Sequence, residues 1–227
     1  MLFKTVAALV TLGSPAISAS ALAPWYGCSV SNAKLQLPPT GGLSIPSNAK
    51  PVYITLGFGT QNYTCTSAGT YTSAGAVAKL VDLSCLYHFD KNAFNKIQDK
   101  AYSTIPTNSH QAPNWDKIKP VLSPYTKILG DHYFTPQANN ASAPEFDFRA
   151  ESRKGDRDAY SINQKVGGIP SPDGSQHVDW LQLESTSGKL AKHTFRVDTR
   201  GGVPPSSCET VGQTTEVPYI AKYWFFN

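Results

Sequence analysis

The sequence predicts an all-β domain, an antiparallel sandwich or barrel with a short helical insertion and two disulfides. Three observations carry that expectation. Several short runs alternate apolar and polar residues with period two, as in Thr60-Gln-Asn-Tyr-Thr-Cys65. Gly- and Pro-containing turns such as Ser171-Pro-Asp-Gly174, Ser187-Gly188 and Gly201-Gly-Val-Pro-Pro205 separate the runs. Four cysteines follow a leader of the exported type, and an even count in that setting reads as a disulfide framework.

Residues 1–21 form the leader. Lys4 supplies a positive end, Val6 to Leu12 a short apolar run, and Ala19 and Ala21 an A-x-A-like cleavage signal. The run falls short of the roughly 20 apolar residues that span a bilayer, so it reads as a removable secretory signal. Residues 22–227 then read as one domain, within the usual single-domain size.

The mature chain opens with a Pro-rich arm, 35–51, where Pro38, Pro39, Pro46 and Pro51 cannot donate ladder hydrogen bonds. Strands are expected at Pro51–Leu56, at Thr60–Cys65 after a break at Gly57-Phe-Gly59, and at Ala76–Leu83. Segment 87–124 differs from its surroundings and reads as an insertion. Phe94, Ile97 and Ala101 fall at i, i+3 and i+7, the stripe of a short amphipathic helix that Asp90 can cap. Pro106, Pro113, Pro120 and Pro124 then cut the chain into turns. Strand character returns in Tyr125–Phe134, Val178–Glu184, Leu190–Asp198 and Thr215–Phe226. Tyr219, Tyr223, Trp224, Phe225 and Phe226 mark the last as a core strand.

The cysteines are Cys28, Cys65, Cys85 and Cys208. Of three possible connectivities, Cys65–Cys85 with Cys28–Cys208 is favoured, because the first pair clips two neighbouring strands. No C-x-x-C spacing occurs and the histidines form no H-x-H or H-E-x-x-H, so no metal site is expected. Two sequons, Asn62-Tyr-Thr64 and Asn140-Ala-Ser142, make Asn62 and Asn140 the expected glycosylation sites. The formal charge of +4 is spread rather than patched, and the segment from Arg149 to Asp158 alternates in sign. That pattern argues against nucleic acid as a partner, and no later stretch has the length to engage a membrane.

Six segments carry a resemblance: Gly57-Phe-Gly-Thr-Gln-Asn-Tyr-Thr-Cys65, Ala78-Lys-Leu-Val-Asp-Leu-Ser-Cys85, Gly130-Asp-His132, Val178-Asp-Trp-Leu-Gln-Leu183, Thr199-Arg-Gly-Gly-Val-Pro-Pro205 and Pro218-Tyr-Ile-Ala-Lys-Tyr-Trp224. In this order they resemble a family of small secreted fungal and bacterial proteins catalogued as a domain of unknown function. Its fungal members are sometimes labelled malate dehydrogenase. The resemblance covers roughly residues 34–226 and implies a secreted, strand-rich domain with no established activity. The dehydrogenase label fails on the residues. A dinucleotide site needs G-x-G-x-x-G opening a helix, whereas Gly57-Phe-Gly59 stops at two glycines and runs into another strand. No cofactor is expected.

Candidate chemistry is sparse. His132 and Asp82 are the candidates for catalysis, His132 because it lies in a family-like segment beside Asp131. Asp131 should face away from it, since neighbours on a strand point to opposite faces. There is no G-x-S-x-G elbow. Glu145-Phe-Asp147 puts two acids on one strand face, and Arg196 is expected to pair with Asp82 or Asp198. Trp115, Tyr125 and Tyr133 are the candidates for ligand binding, because aromatic side chains in loops suit sugar rings and partner surfaces. The expected function is that of a secreted, glycosylated, non-catalytic protein acting at the cell wall or host surface by binding polysaccharide or protein. The alternative is a secreted hydrolase of wall glycans or esters.

Overall fold

The computed structural model describes residues 28–39, 41–107, 109–122, 126–138 and 141–227. Residues 1–21, expected to be a secretory signal, lie outside the described residues, as do Tyr125 and Asn140. Eight strands follow one another: β1 (Pro51–Cys65), β2 (Tyr71–Asp82), β3 (Ile128–Pro136), β4 (Ser142–Asp147), β5 (Tyr160–Ile169), β6 (Trp180–Gly188), β7 (His193–Gly201) and β8 (Thr214–Phe226). Each pairs antiparallel with the next, and β8 pairs with β1, so the sheet closes into an up-and-down barrel. Closure leaves no sheet edge exposed.

Three short α-helices, α1 (Ser84–Phe89), α2 (Lys91–Tyr102) and α3 (Trp115–Ile118), and one 3-10 turn (Lys119–Val121) lie between β2 and β3. The Asp90 carboxylate accepts a hydrogen bond from the Ala93 amide at 2.9 Å, the expected cap of α2. Phe94, Ile97 and Ala101 are buried, as their spacing requires.

An eight-stranded barrel has an interior just wide enough for side chains to fill. Here Leu80, Phe146, Phe148, Tyr219, Tyr223 and Phe225 fill it. A second apolar layer lies outside the barrel, where Ile54, Leu56, Phe58, Val197, Ile220, Trp224 and Phe226 pack under Phe94, Ile97, Ala101 and Ile118. Val30 and Leu43 close the same layer; they belong to the segment 28–50 ahead of β1, which includes the Pro-rich stretch and is the N-terminal arm of the structure. Strand β8 is therefore buried on both faces, which explains its continuous run of large apolar residues.

Two expectations need correction. Gly57 and Gly59 do not break β1, which runs unbroken from Pro51 to Cys65. They are small because their neighbours are close. A Cβ on Gly57 would meet the Tyr223 ring at 2.5 Å, and one on Gly59 would overlap the Val77 carbonyl oxygen. The disulfides are Cys28–Cys85 and Cys65–Cys208, not the favoured pairing. Cys85 lies in α1, past the end of β2, and so meets the arm rather than β1. The Cys65 end of β1 instead meets the loop that precedes β8, where Cys208 N–H donates to the Gly69 carbonyl at 2.9 Å.

Candidate functional site

Lys222 stands out from its surroundings. It is the one charged residue in the run Tyr219–Phe226, and its side chain is 2% exposed on the outer face of β8. Burial pulls its pKa down, while Asp198 works in the opposite direction. Its ammonium donates to Asp198 Oδ2 at 2.9 Å and stands 4.4 Å from the centre of the Phe94 ring.

A local irregularity brings Asp198 there. Along β7, Arg196 faces the lumen side, and regular alternation would turn Asp198 to that side too. The β7–β8 register shifts between Val197 and Arg200, and Asp198 has φ 50, the one positive φ outside glycine among the described residues. A bulge of this kind re-aims side chains, and Asp is among the residues that accept the left-handed region. Asp198 and Arg200 thereby reach the outer face beside Lys222. Thr199 between them is fully buried and donates to the Val178 carbonyl at 2.6 Å.

Arg200 closes the arrangement. Its Nε donates to Asp99 of α2 at 2.5 Å and its Nη1 to Asp173 at 2.7 Å. Burial disfavours the Arg200 cation, but these two carboxylates outweigh it and raise the pKa. Lys34, Leu35 and Gln36 of the arm form the opposite wall, and Lys91, Phe94, Asn95 and Gln98 of α2 line the roof. The result is a groove of about 470 Å³, within the range of about 300–1,000 Å³ usual for ligand sites. Two buried polar atoms on lining residues, Gln98 Oε1 and Trp224 Nε1, have no hydrogen-bond partner. Buried polar groups are normally satisfied, so these two atoms are exceptions in the layer beneath the groove.

The sequence-derived candidates do not line this groove. His132 lies in the lumen, fully buried, stacked 4.4 Å from Phe146. Its Nδ1 donates to the Glu145 carbonyl at 2.8 Å, and burial lowers its pKa to about 4, with Arg196 adding to the effect. Asp131 points the other way, to Lys79 at 2.7 Å. The Asp82 carboxylate accepts from the Ser84 amide at 2.8 Å, and a larger groove between the arm and the ends of β1 to β3 opens beside it.

Trp115 stacks on Phe58, with ring centres 5.7 Å apart, as part of the cover on the outer core. Tyr133 donates to Asp147 at 2.9 Å on the far side of the barrel. There Arg149 holds both Glu145 and Asp147, so the two acids of that strand face share one guanidinium. Asn62 sits on the outer face of β1 and accepts from the Thr60 hydroxyl at 2.9 Å. Arg196 pairs with neither Asp82 nor Asp198. It donates to the Asp179 carbonyl at 3.0 Å and to Gln61 at 3.3 Å, capping the tyrosine pair Tyr219 and Tyr223 whose hydroxyls lie 2.9 Å apart.

The groove residues were missed for a clear reason. Lys222, Asp198 and Arg200 are ordinary charges on strands until the bulge places them together. A sequence signal did exist: a lysine inside a run of buried aromatic residues needs a counter-charge beside it.

A closed, up-and-down barrel of eight strands, carrying two disulfides and partly covered by short helices, is the class to which the protein belongs. Comparison of the sequence gives the family. The family described as protein of unknown function (DUF3455) matches residues 46–227, and the chain belongs to it. No curated protein and no solved structure matches the chain. Among the described residues no helix is long and apolar enough to cross a membrane.

Proposed function

We propose that the protein is secreted and glycosylated, and acts without catalysis at the cell wall or host surface by binding polysaccharide or protein. The observation that carries this reading is the groove between the arm, α2 and the β7–β8 face. Its lining combines exposed amides (Gln36 and Asn95) with paired charges, groups that hydrogen-bond sugar hydroxyls. Polysaccharide is the favoured ligand because the groove is open and polar rather than an apolar patch.

The state of the catalytic candidates supports a binding role. The His132 imidazole is sealed in the lumen with its Nδ1 committed, and all four thiols are tied in disulfides. The two disulfides also suit an oxidising compartment. Asn62 and Asn140 are the expected glycan sites.

The test is a pull-down of the oxidised protein on chitin, β-glucan, cellulose and pectin, with reducing ends assayed in the same tubes. Saturable retention, lost in an Asn95→Trp variant that fills the groove and leaves the melting temperature unchanged, is the expected result. New reducing ends would overturn the non-catalytic reading in favour of a hydrolase. Absence of both signals would rule out these polysaccharides and leave a protein as the partner.

A further inference from the structure

The groove is electrostatically polar along its length. Lys91, Asn95, Gln98 and Asp99 stand at i, i+4, i+7 and i+8 on one face of α2. They therefore span about 12 Å at 1.5 Å per residue. At the Asp99 end three carboxylates surround two cations, with Arg200 held between Asp99 and Asp173 and Lys222 bound to Asp198. Between the two ends the lining carries the neutral amides Asn95 and Gln36.

The Lys91 end is different. Lys91 Nζ lies 3.2 Å from the centre of the Tyr87 ring. Lys34 approaches the same tyrosine from the arm, its amide donating to the Tyr87 hydroxyl at 2.9 Å. Burial acts to raise the Tyr87 pKa, yet the Lys34 amide and Lys91 outweigh it and lower it, so positive potential dominates there. The nearest carboxylate along α2, Asp90, is turned to the Ala93 amide as the helix cap.

We infer that the groove takes a short saccharide bearing one carboxylate, with the carboxylate between Lys34 and Lys91 and the neutral rings along Asn95 and Gln36. The inference rests on the groove being the polysaccharide site proposed above and adds the chemical class of its ligand. A polymer charged on every ring fits less well, because Asp99 and Asp173 would face its far end. An acidic unit within or at the end of a neutral chain suits the gradient.

Titration calorimetry with cellobiouronic acid and cellobiose, which differ by one carboxylate, tests this directly. The acid should bind about tenfold more tightly at low salt, the worth of one charge-assisted hydrogen bond. That advantage should shrink at high salt and vanish in a Lys34→Ala/Lys91→Ala variant, both residues being exposed and outside the core. Equal binding of both sugars, abolished by Asn95→Trp, would overturn the carboxylate preference while the groove stands as a sugar site. Retention on a polymer that Asn95→Trp leaves unchanged would overturn the groove itself. Displacement of the acid by inorganic sulfate at equal concentration would also overturn it, reducing the site to bare charge.

Discussion

Acidification should separate the wild-type protein from a His132→Gln variant by a predictable amount. His132 is sealed among Phe134, Phe146 and Tyr223, and its folded pKa of about 4 lies below the ordinary 6.5. The folded state therefore binds its proton later than the unfolded state as pH falls. Between these two values the unfolded chain carries more protons, so stability drops as pH drops, and above 6.5 the effect is absent. A gap of about 2.5 units at 1.36 kcal/mol each gives about 3 kcal/mol lost across that window. The glutamine side chain in the variant keeps an N–H for the Glu145 carbonyl and cannot titrate, so the variant should lose none of this part. His177, whose pKa burial also lowers, is present in both proteins and cancels in the comparison. Urea unfolding of the disulfide-intact proteins at several pH values from 7 to 4 measures the difference, provided the m-values agree. Parallel stability–pH curves would refute the reasoning, since they would mean that the imidazole meets water or a counter-charge in the folded state.

The Lys222–Asp198 pair should respond asymmetrically. Asp198→Ala strands a buried ammonium and should cost about 3 kcal/mol, whereas Lys222→Met leaves only a part-exposed carboxylate and should cost about 1 kcal/mol or less in the same unfolding assay. Because the folded pKa of Lys222 is depressed, wild-type stability should rise relative to Lys222→Met as pH climbs towards 10.5, and a falling difference would contradict the burial argument. Gly59→Ala forces a methyl group onto the Val77 carbonyl and should cost more than about 3 kcal/mol, read as a collapse of the melting temperature. Replacing Cys65 and Cys208 by serine opens a link across 143 positions, worth about 5 kcal/mol in the chain-entropy treatment, against about 4 kcal/mol for the 57-position link of Cys28 and Cys85. Unfolding midpoints of the two double variants, with peptide mapping of the pairing, check that order.

Much of the barrel was legible because its strands obey simple alternation. The helix over Lys91–Tyr102 was equally plain, since Phe94, Ile97 and Ala101 define one face and Asp90 its start. Strand β1 was read as broken because two glycines resemble a turn. Locally nothing distinguishes a glycine that bends the chain from one that yields space to Tyr223 or to the Val77 carbonyl. The disulfide pairing failed for a related reason: adjacency in sequence suggested Cys65 with Cys85, but closure of β8 onto β1 brings Cys208 to the first strand instead. His132 and Asp131 do lie on opposite faces as alternation requires, but that His132 would be sealed in the lumen against Phe146 depends on barrel closure. The groove was out of reach altogether, because it depends on a register shift of β7 against β8 that no local pattern records.

That groove is also where the two layers of the core meet their limit. The outer face of β7, β8 and β1 is too apolar to face water, so it must be covered. The cover comes from two separate pieces, the N-terminal arm and α2, and the disulfide from Cys28 to Cys85 ties the root of one to the helical region that begins the other. Two pieces leave a seam. Along the seam the barrel face must change from apolar to polar, and Lys222 with Asp198 makes that change while Phe94 roofs the ammonium. Substituting the cover should therefore alter ligand choice with little effect on the barrel: exchanging Asn95 and Lys91 changes the groove, while Ile97 and Ala101 on the buried face hold α2 in place. If an Asn95→Trp protein lost its cooperative unfolding rather than its binding, the separation of barrel from groove would be wrong, and the helical cover would have to be counted as part of the fold's core.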